Sequence, residues 1–343
     1  MNRHLPVRAR TSSPNAAALR VCLALSLGLA LSPFFLDASA GAQSAPPATP
    51  PATPAQPAGQ TGDWKHSYAS FGAFTGIVSE TGEVLWKYPL GTRDGWVQPN
   101  GDILLTLSKG RDYPGGGVVL VNRDNKVLFE FKGTQSEVNT AQLLANGNIL
   151  LTEAGAHPRI LEVDRSGKIA VEVPIQTTVT NHHMQSRMTR KLENGNYLVP
   201  QLFDRLVREY TPKGEIVWEY KTPDEPRECW PFTAIRIPNG NTVINLTHGN
   251  GIVEVNPKGE VVWRVSNTDF PEAPFKDPCG GQWLPNGNIV VTSYAARGDA
   301  IKLFEISKDK KIVWSLRDGK THGLHEFQIL TTDGKPLGEP AYR

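Results

Sequence analysis

The stretch IPNGNTVINLTHGNGIVEVNPKGEVVWRV, residues 237–265, contains two hairpins in succession. The first has Asn-Gly at its turn, followed by alternating β-formers. The second has Pro-Lys-Gly at its turn, followed by a strand that carries Trp263. Asn-Gly between such runs is a strong hairpin signal, and a type I′ turn there needs positive φ at both central residues. Two hairpins predict four antiparallel strands.

Both hairpins recur along the chain. The first occurs six times in all, at steps of 45 to 48 residues, and the second also occurs six times. Four strands in every ~45 residues is typical of a propeller blade. We therefore predict an all-β, six-bladed β-propeller with four-stranded blades, in which the recurring Trp packs between neighbouring blades. The turns begin at Asn100, Asn146, Asn194, Asn239, Asn286 and Asp333, and the tryptophans are Trp86, Trp218, Trp263 and Trp314.

The order of the repeats predicts how the ring closes. The second hairpin type comes first, at residues 81–88, and the first type comes last, at residues 325–337. Each therefore lacks its partner hairpin. We expect the C-terminal segment to pair with the N-terminal strands in one composite blade, which removes an open sheet edge.

The N-terminal region has the pattern of an export signal. A basic segment with Arg3, Arg8 and Arg10 precedes an apolar run at residues 21–31, and small residues follow at 38–42. Residues 1–42 are predicted to be a signal peptide and residues 43–62 a Pro/Ala/Thr-rich linker, so the propeller covers residues 63–343. We expect a periplasmic or extracellular protein with no membrane span once the signal is removed. The nearly balanced charge argues against a nucleic-acid partner.

Two cysteines, Cys229 and Cys279, remain after the signal segment. An even number in an oxidising compartment permits one disulfide between them. Two buried thiols are an equal alternative, and both stay open at this point.

The innermost strand of each blade should precede its Asn-Gly turn and line the central channel. His and Arg are concentrated before the third and sixth of these turns. If residues 183–187 form a strand, His183, Gln185 and Arg187 share one channel-facing row. The other channel candidates are His182, Arg190, Gln282, His322, His325 and Glu326, whereas His248 is a weaker candidate because its turn should lie further out.

Arg recognises oxyanions through paired hydrogen bonds, and neutral His can act as a base or nucleophile. These residues predict a channel that binds a small, anionic or sugar-like ligand. The alternative is that polar channel side chains merely bond one another and water. No metal-ligand spacing such as HExxH or CxxC is present, so we predict no metal site. No cofactor is predicted either.

The repeat LPNGNIVVTS, residues 284–293, and the segment IVEVNPKGEVVWRV, residues 252–265, resemble pyrroloquinoline-quinone-like propeller repeats. Together with six blades and histidines before the Asn-Gly hairpins, the chain is similar to bacterial arylsulfotransferases. That resemblance implies sulfuryl transfer through a covalent histidine, with His183 or His322 as nucleophile and Arg187 stabilising charge. A protein-interaction scaffold is the third possible function.

Overall fold

The structure, a computed structural model, describes residues 59–225, 228–319, 324–338 and 340–343. Its strands form six antiparallel sheets, which are the six blades of a ring. The predicted all-β, six-bladed β-propeller is confirmed. We number the blades from 1, the composite blade, to 6. The predicted signal peptide and most of the predicted linker lie outside the described residues.

The first half of the described chain contains twelve strands. A short strand precedes three strands of blade 1, and blades 2 and 3 follow with four strands each, the innermost first. These strands are β1 (Gly59–Gly62), β2 (His66–Phe71), β3 (Thr75–Val78), β4 (Val84–Tyr88), β5 (Thr92–Val97), β6 (Ile103–Leu107), β7 (Gly117–Val121), β8 (Val127–Lys132), β9 (Glu137–Leu143), β10 (Ile149–Ala154), β11 (Arg159–Val163) and β12 (Ile169–Pro174).

The second half contains blades 4, 5 and 6 and the two strands that complete blade 1. Short 3-10 turns occur at His182–Met184 and Asn267–Asp269. The strands are β13 (Arg190–Lys191), β14 (Tyr197–Gln201), β15 (Leu206–Tyr210), β16 (Ile216–Lys221), β17 (Trp230–Arg236), β18 (Thr242–Thr247), β19 (Gly251–Val255), β20 (Val261–Ser266), β21 (Gly281–Trp283), β22 (Ile289–Thr292), β23 (Leu303–Ile306), β24 (Ile312–Arg317), β25 (Glu326–Thr332) and β26 (Lys335–Pro336).

The ring closes as the offset repeats predict. Strand β25 pairs antiparallel with β2, from His66 opposite Thr332 to Phe71 opposite Glu326. A second closure was not predicted, because β1 falls within the segment interpreted as linker. It pairs antiparallel with β24 and adds a fifth strand to the outer edge of blade 6. Residues 59–62 are thereby attached to the outer edge of blade 6.

The Asn-Gly hairpins form a different turn from the one predicted. In the first five, only the Gly of the pair has positive φ, between 84° and 89°. Gly101 donates its N–H to the Gln98 carbonyl, and Asn100 Oδ1 accepts from the Asp102 N–H. This is a type I turn followed by a left-handed Gly, a three-residue loop. Only the sixth turn, Asp333-Gly334, has positive φ at both residues.

The recurring Trp packs between blades, as predicted. Trp218 of blade 4 donates its indole N–H to the Pro257 carbonyl of blade 5 at 2.9 Å. Trp263 of blade 5 makes the equivalent 2.9 Å bond to the Lys308 carbonyl of blade 6. The apolar core therefore lies in layers between neighbouring blades rather than on the channel axis. Among the described residues, no helix has the length and apolar character needed to cross a membrane.

Candidate functional site

A cavity of about 540 Å³ lies where the inner strands of the blades begin. Its volume is in the range of small-molecule sites. Five of the six blades contribute side chains through the starts of inner strands or through the loops beside them. The polar and aromatic lining includes Arg93, His183, Arg187, Trp230, Phe232, His248, Asp277, Tyr294 and His325.

β-bulges direct side chains toward this end of the channel. The strand register shifts at Arg93 in blade 2, at Asn139 in blade 3 and at Phe232 in blade 5. A bulge leaves one residue out of the ladder and re-aims its side chain, and such features are frequent beside functional sites. Arg93 and Phe232 line the cavity as a result. Asn139 is fully buried, and its Nδ2 donates to the Ser186 carbonyl at 2.9 Å.

Arg187 is a buried cation that faces this cavity. Its Nη1 donates to the Ser186 carbonyl at 2.8 Å, and its guanidinium carbon lies 5.7 Å from the centre of the Phe232 ring. No described carboxylate lies within 4.0 Å of it. Burial, followed by the nearby charge of Arg93, lowers the pKa of Arg187 to about 10, so it stays charged at neutral pH.

A second charged cluster surrounds Glu137 at the edge of the cavity. Its carboxylate accepts from His183 Nδ1 at 3.0 Å, from Arg93 Nη1 at 3.1 Å and from Lys109 Nζ at 3.0 Å. Burial alone would raise the pKa of Glu137, but the His183 hydrogen bond and the Arg93 and Lys109 cations lower it to about 2. Because Nδ1 of His183 is engaged, its other nitrogen, Nε2, remains available for a ligand.

His325 has a different environment. Its Nδ1 lies 2.9 Å from the Arg93 carbonyl oxygen, and its ring packs edge-on against Phe232 and Tyr294. Burial, with a further contribution from Arg187, lowers the pKa of His325 to about 4. The imidazole is therefore neutral at physiological pH, and the site combines one neutral histidine with one bonded to a carboxylate.

Two stacked rings, Trp230 and His248, form one wall of the cavity, and Phe203 supports Trp230 from outside the lining. His248 lies parallel to Trp230 with ring centres 4.2 Å apart, and Phe203 packs on Trp230 at 4.9 Å. His248 adopts φ of 59°, and its backbone N–H donates to Asp277. Tyr294, about half exposed, stands at the opening. This wall provides an apolar surface beside the cationic groups.

A buried ion cluster lies along the channel beyond the cavity. Arg190 donates to Asp94 at 2.8 Å, and Arg343 lies 3.2 Å from Glu326. Burial would raise the pKa of Asp94, but Arg190 and Arg343 lower it overall. For Glu326, burial predominates and raises the pKa to about 7. Arg190 and Arg343 also line a second cavity of about 870 Å³.

The structure brings together three of the predicted site residues, His183, Arg187 and His325, around the first cavity. His322 lies outside the described residues. His248, interpreted as lying further out, also lines the cavity. Arg190 and Glu326 belong to the ion cluster instead. Two others bond to protein groups, because Gln282 Oε1 accepts from the Ile329 N–H at 2.7 Å and His182 Nδ1 lies 2.7 Å from Ser136 Oγ.

The predicted row of His183, Gln185 and Arg187 is wrong in its local geometry. Residues 182–184 form a 3-10 turn, and the inner strand of blade 4 begins only at Arg190. Strand alternation therefore does not apply. The Gln185 side chain turns away from the cavity and bonds the backbone of Gly155 and Val179.

Cys229 and Cys279 are both buried thiols, so the structure has the second of the two alternatives and not the disulfide. Their side chains pack in separate apolar clusters. Cys229 lies among Ala234 and Leu246, whereas Cys279 contacts Met188 and Phe232. Burial raises the pKa of both thiols. Within the described part of the chain, no group of three His, Cys, Asp or Glu side chains could hold a metal ion.

Comparison with solved structures shows the propeller fold. A protein of unknown function from Bacteroides caccae superposes with a TM-score of 0.67 at 25% identity, covering 80% of this chain and 100% of that one. A protein from Lactobacillus plantarum gives 0.52 at 11% identity, with 78% and 100% covered. A streptogramin B lyase gives 0.54 at 14% identity, with 75% and 87% covered.

No protein-family model matches the chain, and no curated protein is similar to it in sequence. The comparisons therefore support the six-bladed fold and lend no support to the two families that the repeats resemble.

Proposed function

We propose that this protein binds a small ligand bearing an oxyanion, such as a carboxylate or sulfate, in the cavity at the channel mouth. Arg187 is the main recognition residue in this proposal. The aromatic wall of Trp230 and His248 would contact the rest of the ligand. The proposal concerns binding, and it does not require the protein to change its ligand chemically.

The burial of Arg187 without a described carboxylate partner is the observation that carries the proposal. A buried charge is costly unless it is paired. The other cations of the site already have partners, since Arg93 and Lys109 both contact Glu137. Arg187 therefore retains donors for an incoming anion. An oxyanion accepting two of its N–H groups would supply the missing countercharge.

The test is anion-dependent stabilisation of the chain from residue 43 onward. Sulfate, with chloride at matched ionic strength as the reference, should raise the melting temperature of the wild type, because a ligand that binds only the folded state stabilises it. Arg187→Met should abolish the sulfate-specific increase. Arg208→Met is the matched control, because Arg208 is already bonded to Glu219 on another part of blade 4. Equal sulfate effects in wild type and Arg187→Met would disprove the proposal.

Histidine-dependent group transfer, of the arylsulfotransferase type, is a second candidate. Its support is the Glu137–His183 hydrogen bond, because a carboxylate that fixes one ring nitrogen commonly orients the other for reaction. The assay is sulfuryl transfer from a chromogenic aryl sulfate to a phenol, with His183→Ala, His322→Ala and His325→Ala beside the wild type. Turnover lost in one variant would identify the nucleophile. A folded wild type without turnover would leave ligand binding or a scaffold role.

Export to the periplasm or the exterior is part of the same proposal. It rests on the charge and apolar pattern of residues 1–42. Expression of the full chain with mass measurement of the recovered protein tests it. A product that begins near residue 43 and is found outside the cytoplasm is expected, whereas an uncleaved cytoplasmic product would contradict it.

A further inference from the structure

The two nitrogens of the His325 ring have different roles. Nδ1 lies 2.9 Å from the Arg93 carbonyl oxygen, which can only accept a hydrogen bond. Nδ1 must therefore carry the proton. In a neutral ring this leaves Nε2 with a lone pair and no hydrogen, so that it acts only as an acceptor. No described residue donates to it.

The ring is held in one orientation. Phe232 and Tyr294 contact it edge-on, with ring centres 5.2 Å and 5.3 Å away. Together with the Arg93 bond, these contacts restrict both rotation and a flip of the imidazole. The low pKa of His325, about 4, keeps the ring neutral across the physiological range, and the bond to Arg93 selects the tautomer.

Arg187 and His325 share a wall of the cavity. The Arg187 guanidinium carbon lies 5.7 Å from the centre of the Phe232 ring, and the His325 ring packs against the same ring at 5.2 Å. The Arg187 guanidinium offers only hydrogen-bond donors, and Nε2 of His325 offers only an acceptor. A bare anion would satisfy Arg187 and leave Nε2 facing either water or a second acceptor. An acceptor that loses its contact with water and finds no donor weakens binding.

We infer that the ligand is a hydroxy acid: its anionic group is bound by Arg187, and a nearby hydroxyl donates its hydrogen to Nε2 of His325. This inference rests on the proposed anion site and narrows its ligand class. His325 thereby acts as a specificity residue, because it distinguishes a hydroxy acid from the same acid without the hydroxyl. A buried acceptor that loses its donor discriminates more strongly than an apolar contact does.

The test uses a matched pair of ligands, 3-phenyllactate and 3-phenylpropionate, which differ by one hydroxyl. Their phenyl ring suits the wall of Trp230 and His248. Calorimetric titration of the wild type, from residue 43 onward, should show about tenfold tighter binding of phenyllactate, the effect of one buried hydrogen bond. His325→Phe keeps an aromatic ring against Phe232 and Tyr294 but has no acceptor. In this variant phenyllactate should bind no more tightly than phenylpropionate. The affinity for phenylpropionate should differ less than twofold from that of the wild type.

His157→Ala is the control, because His157 is exposed on the same end of the ring but does not line the cavity. It should keep the tenfold preference. If His325→Phe fails to fold, long-range ¹H–¹⁵N spectra of the wild type decide the matter. Phenyllactate should then shift the Nε2 resonance of His325, and phenylpropionate should leave it nearly unchanged.

The outcomes separate this inference from the proposed function. Equal affinity of the wild type for the two acids would overturn the hydroxy-acid inference and leave the anion site standing. A hydroxyl preference that persists in His325→Phe would also overturn it. Failure of both acids and of sulfate to bind would overturn the proposed anion site itself.

Discussion

The carboxylate of Glu137 on blade 3 lies 3.0 Å from Nδ1 of His183 on blade 4. The same carboxylate also holds Arg93 and Lys109 of blade 2. One acidic side chain thus joins three consecutive blades at the channel mouth. It competes with any external anion for the cations that it binds.

Glu137→Gln should therefore strengthen anion binding. The neutral amide removes the internal countercharge from Arg93 and Lys109, so the cavity becomes more positive. We expect the sulfate affinity to rise three- to tenfold, about 0.7–1.4 kcal/mol. Titration calorimetry at low salt measures this directly.

Glu172→Gln is the matched control for that substitution, because Glu172 is half exposed and pairs with Arg159 away from the cavity. Its sulfate affinity should equal that of the wild type. A loss of sulfate binding in Glu137→Gln would show instead that Glu137 is needed to hold the cations in position.

Arg187→Met should leave the anion-free protein at least as stable as the wild type. Burial lowers the pKa of Arg187 to about 10, which means that the folded state disfavours its charge. Replacement of an unpaired buried charge by an apolar side chain of similar length removes that cost. We expect the free energy of unfolding in chloride to stay equal or increase by about 1–3 kcal/mol. Urea unfolding measures it, and a marked destabilisation would show that Arg187 has a structural role.

The His325 environment predicts a pH dependence of stability. Its folded-state pKa of about 4 lies below the ordinary value of 6.5. Between these values the unfolded chain binds a proton that the folded one does not, so stability falls as the pH decreases from 6.5 to 4. His325→Phe should remove this contribution of His325 to the pH dependence of stability.

The pKa of Glu326 is raised to about 7, so this carboxyl makes the folded protein more stable as the pH decreases, opposite to His325. The effect of His325 is therefore the difference between His325→Phe and the wild type in how the free energy of unfolding changes with pH. From pH 7 to pH 5 the wild type should lose about 1–2 kcal/mol relative to His325→Phe. Urea unfolding at the two pH values provides the comparison. Parallel pH profiles would mean that His325 titrates normally.

The strand β1 predicts a further stability effect. Gln60 Oε1 accepts from the buried indole N–H of Trp314 at 2.9 Å, and Gln60 Nε2 donates to the Glu80 carbonyl at 3.2 Å. In blades 4 and 5 the Trp instead donates directly to the next blade. Gln60→Ala should lower the free energy of unfolding by about 2 kcal/mol, because it leaves two buried donors, the Trp314 indole N–H and the His66 backbone N–H, without their acceptor.

Thr61→Ala serves for comparison, since it removes a partly exposed hydroxyl bond to Ser315 from the same strand. It should cost less than about 1 kcal/mol. If Gln60→Ala and Thr61→Ala have equally small effects, β1 contributes little to closure of blade 6.

The fold could be predicted from sequence because its signals are periodic. The Asn-Gly steps and the Trp positions repeat in every blade or nearly so, and their offset indicates the composite blade. The strand β1 could not be predicted, since GQTG within a Pro/Ala/Thr-rich segment has no strand periodicity. Its pairing depends on the edge that β24 presents and on the specific bonds of Gln60.

The site was predicted only in part, because its residues come from separate blades. His183 and Arg187 were selected by residue type, whereas Arg93, Glu137, Trp230 and Phe232 were not. A positional signal was nevertheless present. The residue seven positions before a turn asparagine lies in the bulge of the inner strand in blades 2, 3 and 5, and just before the inner strand in blades 4 and 6: Arg93, Asn139, Phe232, Arg187 and Cys279. The orientation of these side chains depends on the bulges, which residue types alone do not specify.

The two thiols give a final prediction. Both Cys229 and Cys279 are nearly fully buried, and burial raises the pKa of each. Because the thiolate is the reactive form, neither should react at an appreciable rate with Ellman's reagent in the native protein at pH 8. In guanidinium without reductant, two thiols per chain should react with the reagent in the protein from residue 43 onward. Two equivalents that appear only after reduction would establish a disulfide, and fast native labelling of one thiol would show that its blade opens readily.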